Sequence, residues 1–518
     1  MLYYITVYKN IYCYSRVRNV FINKALFSHI MVKNLNVILG DQLFANHQAL
    51  NSEDEFYMAE TKDLATVYKY NKKKIVLFFT AMRKHKDKLI RENKKVTYKK
   101  IDETTNYVTQ LKKHVTKNDI KKITTYNVAD KSFRKIISKF CEENNIELEF
   151  KQNPMFLNTT KEFQEYKERK GLFMKTFYEE QRRKTGILMD NGPIGGKYSY
   201  DSENRKKLPK NYEAKPLPKI EEDEILQQVK KDVDKHFKNH LGTTKNFNYP
   251  TTRKQSLAWL DTFFQERFQD FGPYQDAIEP DKVYLNHSII SPMMNMGLLT
   301  PKEVIHKALE QYEKDNAKLN SVEGFIRQIM GWREFMKGVY ETTNLRLNHF
   351  NHKRKMKQSW YDATTGLKPL DDSIKKARDH GYVHHIERLM ILSNIMLLSN
   401  IHPDEVHKWF MEHFVDSTEW VMYANVYGMG LYSDGGKFST KPYVASSNYI
   451  RKMSHYKKGE WTDIMDGLYW KFIEENQEEF KKNPRMSMMA NMINRLSDEK
   501  KQRIFKARKK WLEKNTYT

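Results

Sequence analysis

The sequence predicts two unlike parts: an α/β domain on a parallel, Rossmann-like sheet, followed by a large all-α domain. Three observations predict it. Up to about residue 155, short β-branched runs alternate with helical stretches, the pattern of strands joined by helical crossovers. From residue 253 onward the apolar positions recur at helical spacing almost throughout. At 518 residues the chain is also too long for one core.

Taken in order, residues 1–30 hold Lys9, Arg16, Arg18 and Lys24 with no acid, and tyrosines break any apolar run, so a secretory signal is not indicated. Met31 opens a new pattern. The expectation is an extension, 1–30, that is not part of the native protein, the other reading being an organelle-type leader. Strands are expected at 35–39, 55–58, 75–79, 95–99, 120–126 and 146–150, which gives an α/β domain over 31–155. Gly40-Asp41-Gln42 follows the first strand, at the carboxyl end where open α/β sheets place their ligand crevice. No GxGxxG fingerprint accompanies it, so Asp41 reads either as a crevice residue or as a simple helix cap.

Residues 156–245 are polar, with Pro209, Pro216 and Pro218 amid lysines, and are expected to form an interdomain connector crossing a surface. Residues 246–518 then form the all-α domain with its C-terminal helical extension. Val322, Phe325, Ile326, Ile329, Met330, Phe335, Met336 and Val339 make one apolar stripe, and Ile386, Leu389, Met390, Ser393, Met396 and Leu397 another.

Composition narrows the function classes. With 39% hydrophobic and 13% aromatic residues the chain can bury a large core, which excludes global disorder. Charges punctuate every apolar run, so no bilayer span is expected and a cytoplasmic location is. The surplus of 90 Lys and Arg over 65 Asp and Glu, +25, favours a polyanionic partner, although a solvated lysine-rich surface explains it equally well. Two cysteines, Cys13 and Cys141, supply neither a disulfide framework nor four thiolates for a metal or an iron-sulfur cluster.

Several constellations carry candidate chemistry. His287-Ser288 through Ser291-Pro292 offers hydroxyls and free amides before a Pro-initiated helix, suited to phosphate but also to ordinary capping. Trp332-Arg333-Glu334 places a charged pair inside an apolar helix, where it must pair internally or meet a charged ligand. His384-His385 opens another apolar helix; adjacent positions do not chelate a metal, so the choice lies between a general acid and a satisfied core histidine. Trp409, Phe410, Asp416 and Asn425 share one helix-and-loop span, and Lys441-Pro442-Tyr443 offers a cation and a stacking ring to nucleic acid.

Together the segments Leu39-Gly40-Asp41-Gln42-Leu43, Lys72-Lys73-Lys74-Ile75, Ala81-Met82-Arg83, Phe271-Gly272-Pro273-Tyr274-Gln275-Asp276, Gly331-Trp332-Arg333-Glu334-Phe335, His384-His385, Asn425-Val426-Tyr427-Gly428 and Thr440-Lys441-Pro442-Tyr443 resemble, in order, the photolyase and cryptochrome superfamily. The likeness runs over about residues 37–510, and is to its prokaryotic (6-4) photolyase and iron-sulfur bacterial cryptochrome branch. It implies FAD in the helical domain with Tyr274, Ser288, Ser291, Arg333, Arg388, Asp416 and Asn425 as neighbours. It also implies light-driven electron transfer from reduced FAD to a flipped-out (6-4) pyrimidine photoproduct in UV-damaged DNA. His385 matches the family's proton donor with His384 beside it, and Tyr443 and Gln328 match lesion-contacting positions. Trp409 and Trp360 match its electron-transfer aromatics, with Phe410 in place of the usual tyrosine.

Two departures matter. Where the family's cluster cysteines are expected, this chain has Pro369 and Tyr456-Lys457-Lys458-Gly459-Glu460, so the expectation is a fold that repacks without an iron-sulfur cluster. The relatives' lumazine antenna implies an acid pair; Asp41 retains the first, but Leu64 stands for the second with Asp63 adjacent, which argues against antenna binding. A monomeric repair enzyme is the leading expectation, and a blue-light photoreceptor that binds FAD without repairing DNA is the alternative.

Overall fold

The structure, a computed structural model, describes residues 33–101 and 106–518; the expectation for 1–30 lies outside them. Strands β1 (Asn34–Val37), β2 (Glu55–Ala59), β3 (Val96–Lys99), β4 (Lys122–Tyr126) and β5 (Glu147–Lys151) form one parallel sheet in the order β3-β2-β1-β4-β5. Leu35, Val37, Tyr57, Met58 and Ile123 are buried, because helices cover both faces of the central strands and leave no solvated side to alternate against. The strand order reverses between β1 and β4. There the buried Gln42 reaches from the loop after β1 to the Tyr126 carbonyl (3.1 Å) and accepts from the Thr125 hydroxyl (3.2 Å), tying the two carboxyl ends together.

Residues 75–79 are not a strand. They lie inside the helix Lys72–Arg91, opened by Asn71, whose side chain accepts from the Lys73 amide (3.0 Å). This helix is buried over most of its circumference, so residues 75–79, after three opening lysines, read as an unbroken apolar run, and such a run has no period that separates strand from helix.

The polar stretch 156–245 is also more than a surface crossing. It carries the helices Thr160–Lys170, Met174–Thr185 and Glu224–His236, which bury Phe163, Tyr166, Phe177, Tyr178, Leu226, Val229 and Val233. Three amphipathic helices with lysine-rich outer faces have low mean hydropathy and still pack.

The remainder is helical apart from a two-stranded ribbon, Lys355–Met356 with Thr516–Tyr517, that fastens the end of the chain. The C-terminal helices Glu460–Glu475 and Asp498–Asn515 cross closely at Gly467, where a Cβ would fall 2.1 Å from the Ile504 carbonyl oxygen. Beside them Tyr456 and Trp461 share a core with Leu370 and Ile374, next to Pro369 and the run 457–460 that stand where the family's cluster cysteines are expected. Among the described residues, no helix is long and apolar enough to cross a membrane.

Candidate functional site

A cavity with an empty volume of about 1360 Å³, part of it open to solvent, lies in the helical part. Its walls come from four stretches, 271–295, 325–333, 382–393 and 410–425. Three π-helical segments stand in those walls: Arg327–Arg333, Glu387–Ser393 and Ala424–Gly430. A π turn holds one residue more than an α turn, so it shifts the side chains around the axis and concentrates at functional sites. Here the first presents Gln328, Trp332 and Arg333, the second Arg388, Leu389 and Ser393, and the third Asn425. Glycines let the turns approach: a Cβ on Gly331 would meet Tyr178 at 3.1 Å, and one on Gly430 would meet Ser393 at 2.9 Å.

Arg388 and Asp416 form a bidentate pair (2.9 and 3.2 Å), with the guanidinium 4.0 Å over the Phe414 ring and its Nε donating to the Val383 carbonyl (2.8 Å). Arg333 and Glu334 do not pair with each other. Arg333 donates to Asn295 Oδ1 (2.8 Å) and lies 4.5 Å over the Trp420 ring, while its buried Nε has no partner. Burial brings this guanidinium down to about 10 despite Glu334 beside it. Glu334 turns the other way, accepting from the Leu157 and Asn158 amides (2.9 Å each), and burial pushes its carboxyl up to about 7. Ser288 and Ser291 line the cavity on either side of Ile289, whose φ of 55° is a left-handed conformation that a β-branched residue holds only under constraint. Asn425 accepts from the Trp332 indole (3.2 Å) and donates to the Val421 carbonyl (2.7 Å).

The paired histidines are divided by the wall. His385 faces the open side of the cavity beside Trp332 (ring centroids 6.0 Å), exposed, and the protein packed around it, with Arg388 and His384 nearby, lowers its imidazole from the ordinary value. His384 is buried behind, stacked on His287 at 4.7 Å, with Nε2 3.4 Å from Glu387 Oε1. Lys376 holds that carboxylate at 2.7 Å.

Of the expected residues, Gln328, His385, Ser288, Ser291, Arg333, Arg388, Asp416 and Asn425 therefore converge on one cavity. Others do not line it. Tyr274 packs against Tyr212 (5.4 Å) while its neighbours Gln275 and Asp276 line the wall. Tyr443 sits outside, packed on a cluster that includes Trp332, Ile386 and Leu389. Phe410 lines the cavity, with Trp409 next to it at 5.6 Å. The Trp409 indole donates to the Trp360 carbonyl (3.0 Å) but stacks on His413 (3.6 Å), and the Trp360 ring meets Trp511 (5.7 Å). Asp41 lies in the turn that follows β1, its carboxyl pushed up to about 6 chiefly by burial. Asp63 is engaged by the Tyr107 amide (3.1 Å), and Leu64 packs into the α/β core. Among the described residues no group of three His, Cys, Asp or Glu could hold a metal.

Sequence reasoning missed Asn295, which fixes Arg333, and read Ser393 only as part of a packing stripe, whereas it lines the cavity; the one available signal for Asn295 was that it lies a single turn after Pro292.

A (6-4) photolyase of Agrobacterium fabrum is 33% identical over 490 residues, spanning 90% of this chain and 97% of that protein. The chain belongs to the photolyase and cryptochrome family. Residues 36–249 of this family member also match the family described as deoxyribodipyrimidine photo-lyase-related protein. An uncharacterized protein of Acanthamoeba polyphaga mimivirus, R855, is 53% identical over 93 residues, 18% of this chain and 76% of that protein. The fold is that of solved photolyases and cryptochromes. A bacterial class III photolyase from Agrobacterium tumefaciens matches with a TM-score of 0.56 at 15% identity, covering 94% of this chain and 98% of that one. The cryptochrome of Synechocystis matches at 0.54 and 13% identity, covering 91% and 93%.

Proposed function

We propose that this photolyase-family protein is a light-driven DNA repair enzyme for (6-4) pyrimidine photoproducts, with FAD in the helical cavity. The observation that carries the reading is the convergence of Ser288, Ser291, Arg333, Arg388, Asp416 and Asn425, together with Gln328 and His385, on one cavity from four separate stretches of chain. The residues suit the cofactor. Arg333 is a buried cation with no carboxylate at ion-pair distance among the described residues and an unpartnered Nε, so an anionic group is what its surroundings lack. When bound, FAD supplies light-driven one-electron donation.

The chain's own residues do the rest. Arg333 and the two serines hold the anionic portion, and the Arg388–Asp416 pair braces the wall. The apolar faces of Phe325, Ile329 and Leu389 exclude water from the reacting rings. Gln328 and His385 face the space where a flipped-out base would sit. His385, exposed to that space with Gln328 beside it, is the side chain placed to pass a proton to the lesion. With only two cysteines the chain cannot bind a four-thiolate cluster, so none takes part.

The test is illumination of an oligonucleotide bearing one (6-4) photoproduct with flavin-loaded, pre-reduced protein, beside a dark sample and a cyclobutane-dimer substrate. Restoration of the (6-4) lesion only in blue light is expected, and His385→Ala should lose repair while keeping its flavin. Repair of neither lesion by loaded protein would overturn the reading in favour of a light sensor. Repair of the cyclobutane dimer alone would overturn the lesion assignment.

A further inference from the structure

Residues 477–496 take no part in the cavity. They fold into the short helices Gln477–Lys482 and Ser487–Met492 and the turn Ile493–Arg495, anchored by the buried Phe480, Met486, Ala490 and Ile493. Their outer side is different in kind. Lys482, Arg485 and Arg495 are exposed, as are Lys437 and Lys441 on the neighbouring loop, and among the described residues none of the five has a carboxylate at ion-pair distance. Between them Met488 is 76% exposed and Met492 42%, four residues apart and so on one helix face. Two exposed methionines among cations without carboxylate partners match a partner that is a polyanion outside and apolar within.

The position of this segment selects the partner. Asn483 Nδ2 donates to the Thr440 carbonyl and Arg485 Nη1 to the Thr440 hydroxyl (2.9 Å each), which docks the segment on the loop 437–443. Tyr443, at the end of that loop, packs on the outer side of the wall whose inner side includes Trp332 and Ile386. Through Tyr443 the rim adjoins the wall of the cavity that takes the lesion in the repair reading.

We infer that the segment 477–496 and the loop 437–443 form a duplex-contacting rim, with Lys441, Lys482 and Arg485 on phosphates and Met488 and Met492 against the groove. Phosphate contacts give salt-dependent affinity, and apolar side chains wedge against base steps. The inference rests on the DNA-repair reading and adds the surface that receives the duplex.

Fluorescence anisotropy over a salt series, with a duplex carrying one (6-4) photoproduct, tests it. Lys482→Ala with Arg485→Ala should weaken binding and flatten the slope of log affinity against log salt by about two. Met488→Ala should weaken binding severalfold with the slope unchanged. Lys112→Ala with Lys113→Ala, on the helix Tyr107–Asn118 of the α/β domain, should change neither. Wild-type binding with both rim variants unaltered would overturn the inference alone. Failure of the wild type to bind the damaged duplex would overturn the repair reading and the rim with it. Rim-dependent binding to phosphatidylserine vesicles, with duplex binding unaltered in the variants, would reassign the surface to a membrane and overturn the inference.

Discussion

Arg388 and Asp416 show how much depends on two side chains. Both are largely buried, and the fork of the guanidinium satisfies both carboxylate oxygens. Truncating one partner strands the other charge in a poorly solvated place, so Arg388→Ala should cost about 3 kcal/mol of stability. The same variant should release flavin more readily. Thermal melting and the flavin-to-protein absorbance ratio check the two effects separately. Nothing in the sequence pairs these residues, which lie 28 positions apart. Arg333 and Glu334 make the opposite point: adjacent in sequence and apt to be read as a pair, they face different ways because consecutive helical positions diverge around the axis.

At the scale of elements, the three π-helical segments decide which side chains enter the cavity. Gly430 matters because the segment Ala424–Gly430 passes against Glu387–Ser393 at that point, with room for a hydrogen and not a methyl group. Gly430→Ala should cost about 1–3 kcal/mol through overpacking and should lower flavin retention, since the displaced Ser393 lines the site. Gly459→Ala is the matched control: its backbone is extended and the nearest atom to a new Cβ is 3.5 Å away, so melting should stay within about 0.5 kcal/mol of wild type. A π turn leaves little trace in sequence, because one extra residue in one turn alters the apolar period too briefly to be read.

Over the whole molecule, buried titratable groups set the response to acid. His47, His352, His407 and His413 are buried, and burial lowers their imidazoles to about 3, 4, 4 and 3. Below about 6.5 the unfolded chain binds protons that these folded imidazoles refuse, so stability falls as pH falls through that window. Glu334 and Glu419, both raised to about 7 by burial, act in the opposite sense: folded, they keep protons that the unfolded chain has released above about 4.3. The melting temperature should therefore drop from pH 6.5 to pH 4.5, and Glu419→Gln should steepen that drop by removing one opposing group. Melting curves of the two proteins across that range check both statements.

The sequence by itself determined the fold class, five of its six expected strands, the family, and most of the residues that gather in the cavity. Those features rest on local period and on motif spacing, which are properties of order along the chain. Residues 75–79 mark the limit of that information, since a short apolar run is the same string in a buried helix and in a strand. Only the tertiary structure decided that Arg388 meets Asp416, that His385 faces the cavity while His384 stands behind it, and that Tyr274 and Tyr443 lie outside its walls. The reason is physical. Which way a side chain points depends on the rotation of its helix and on a single added residue in a π turn, and both are set by packing between segments far apart in sequence.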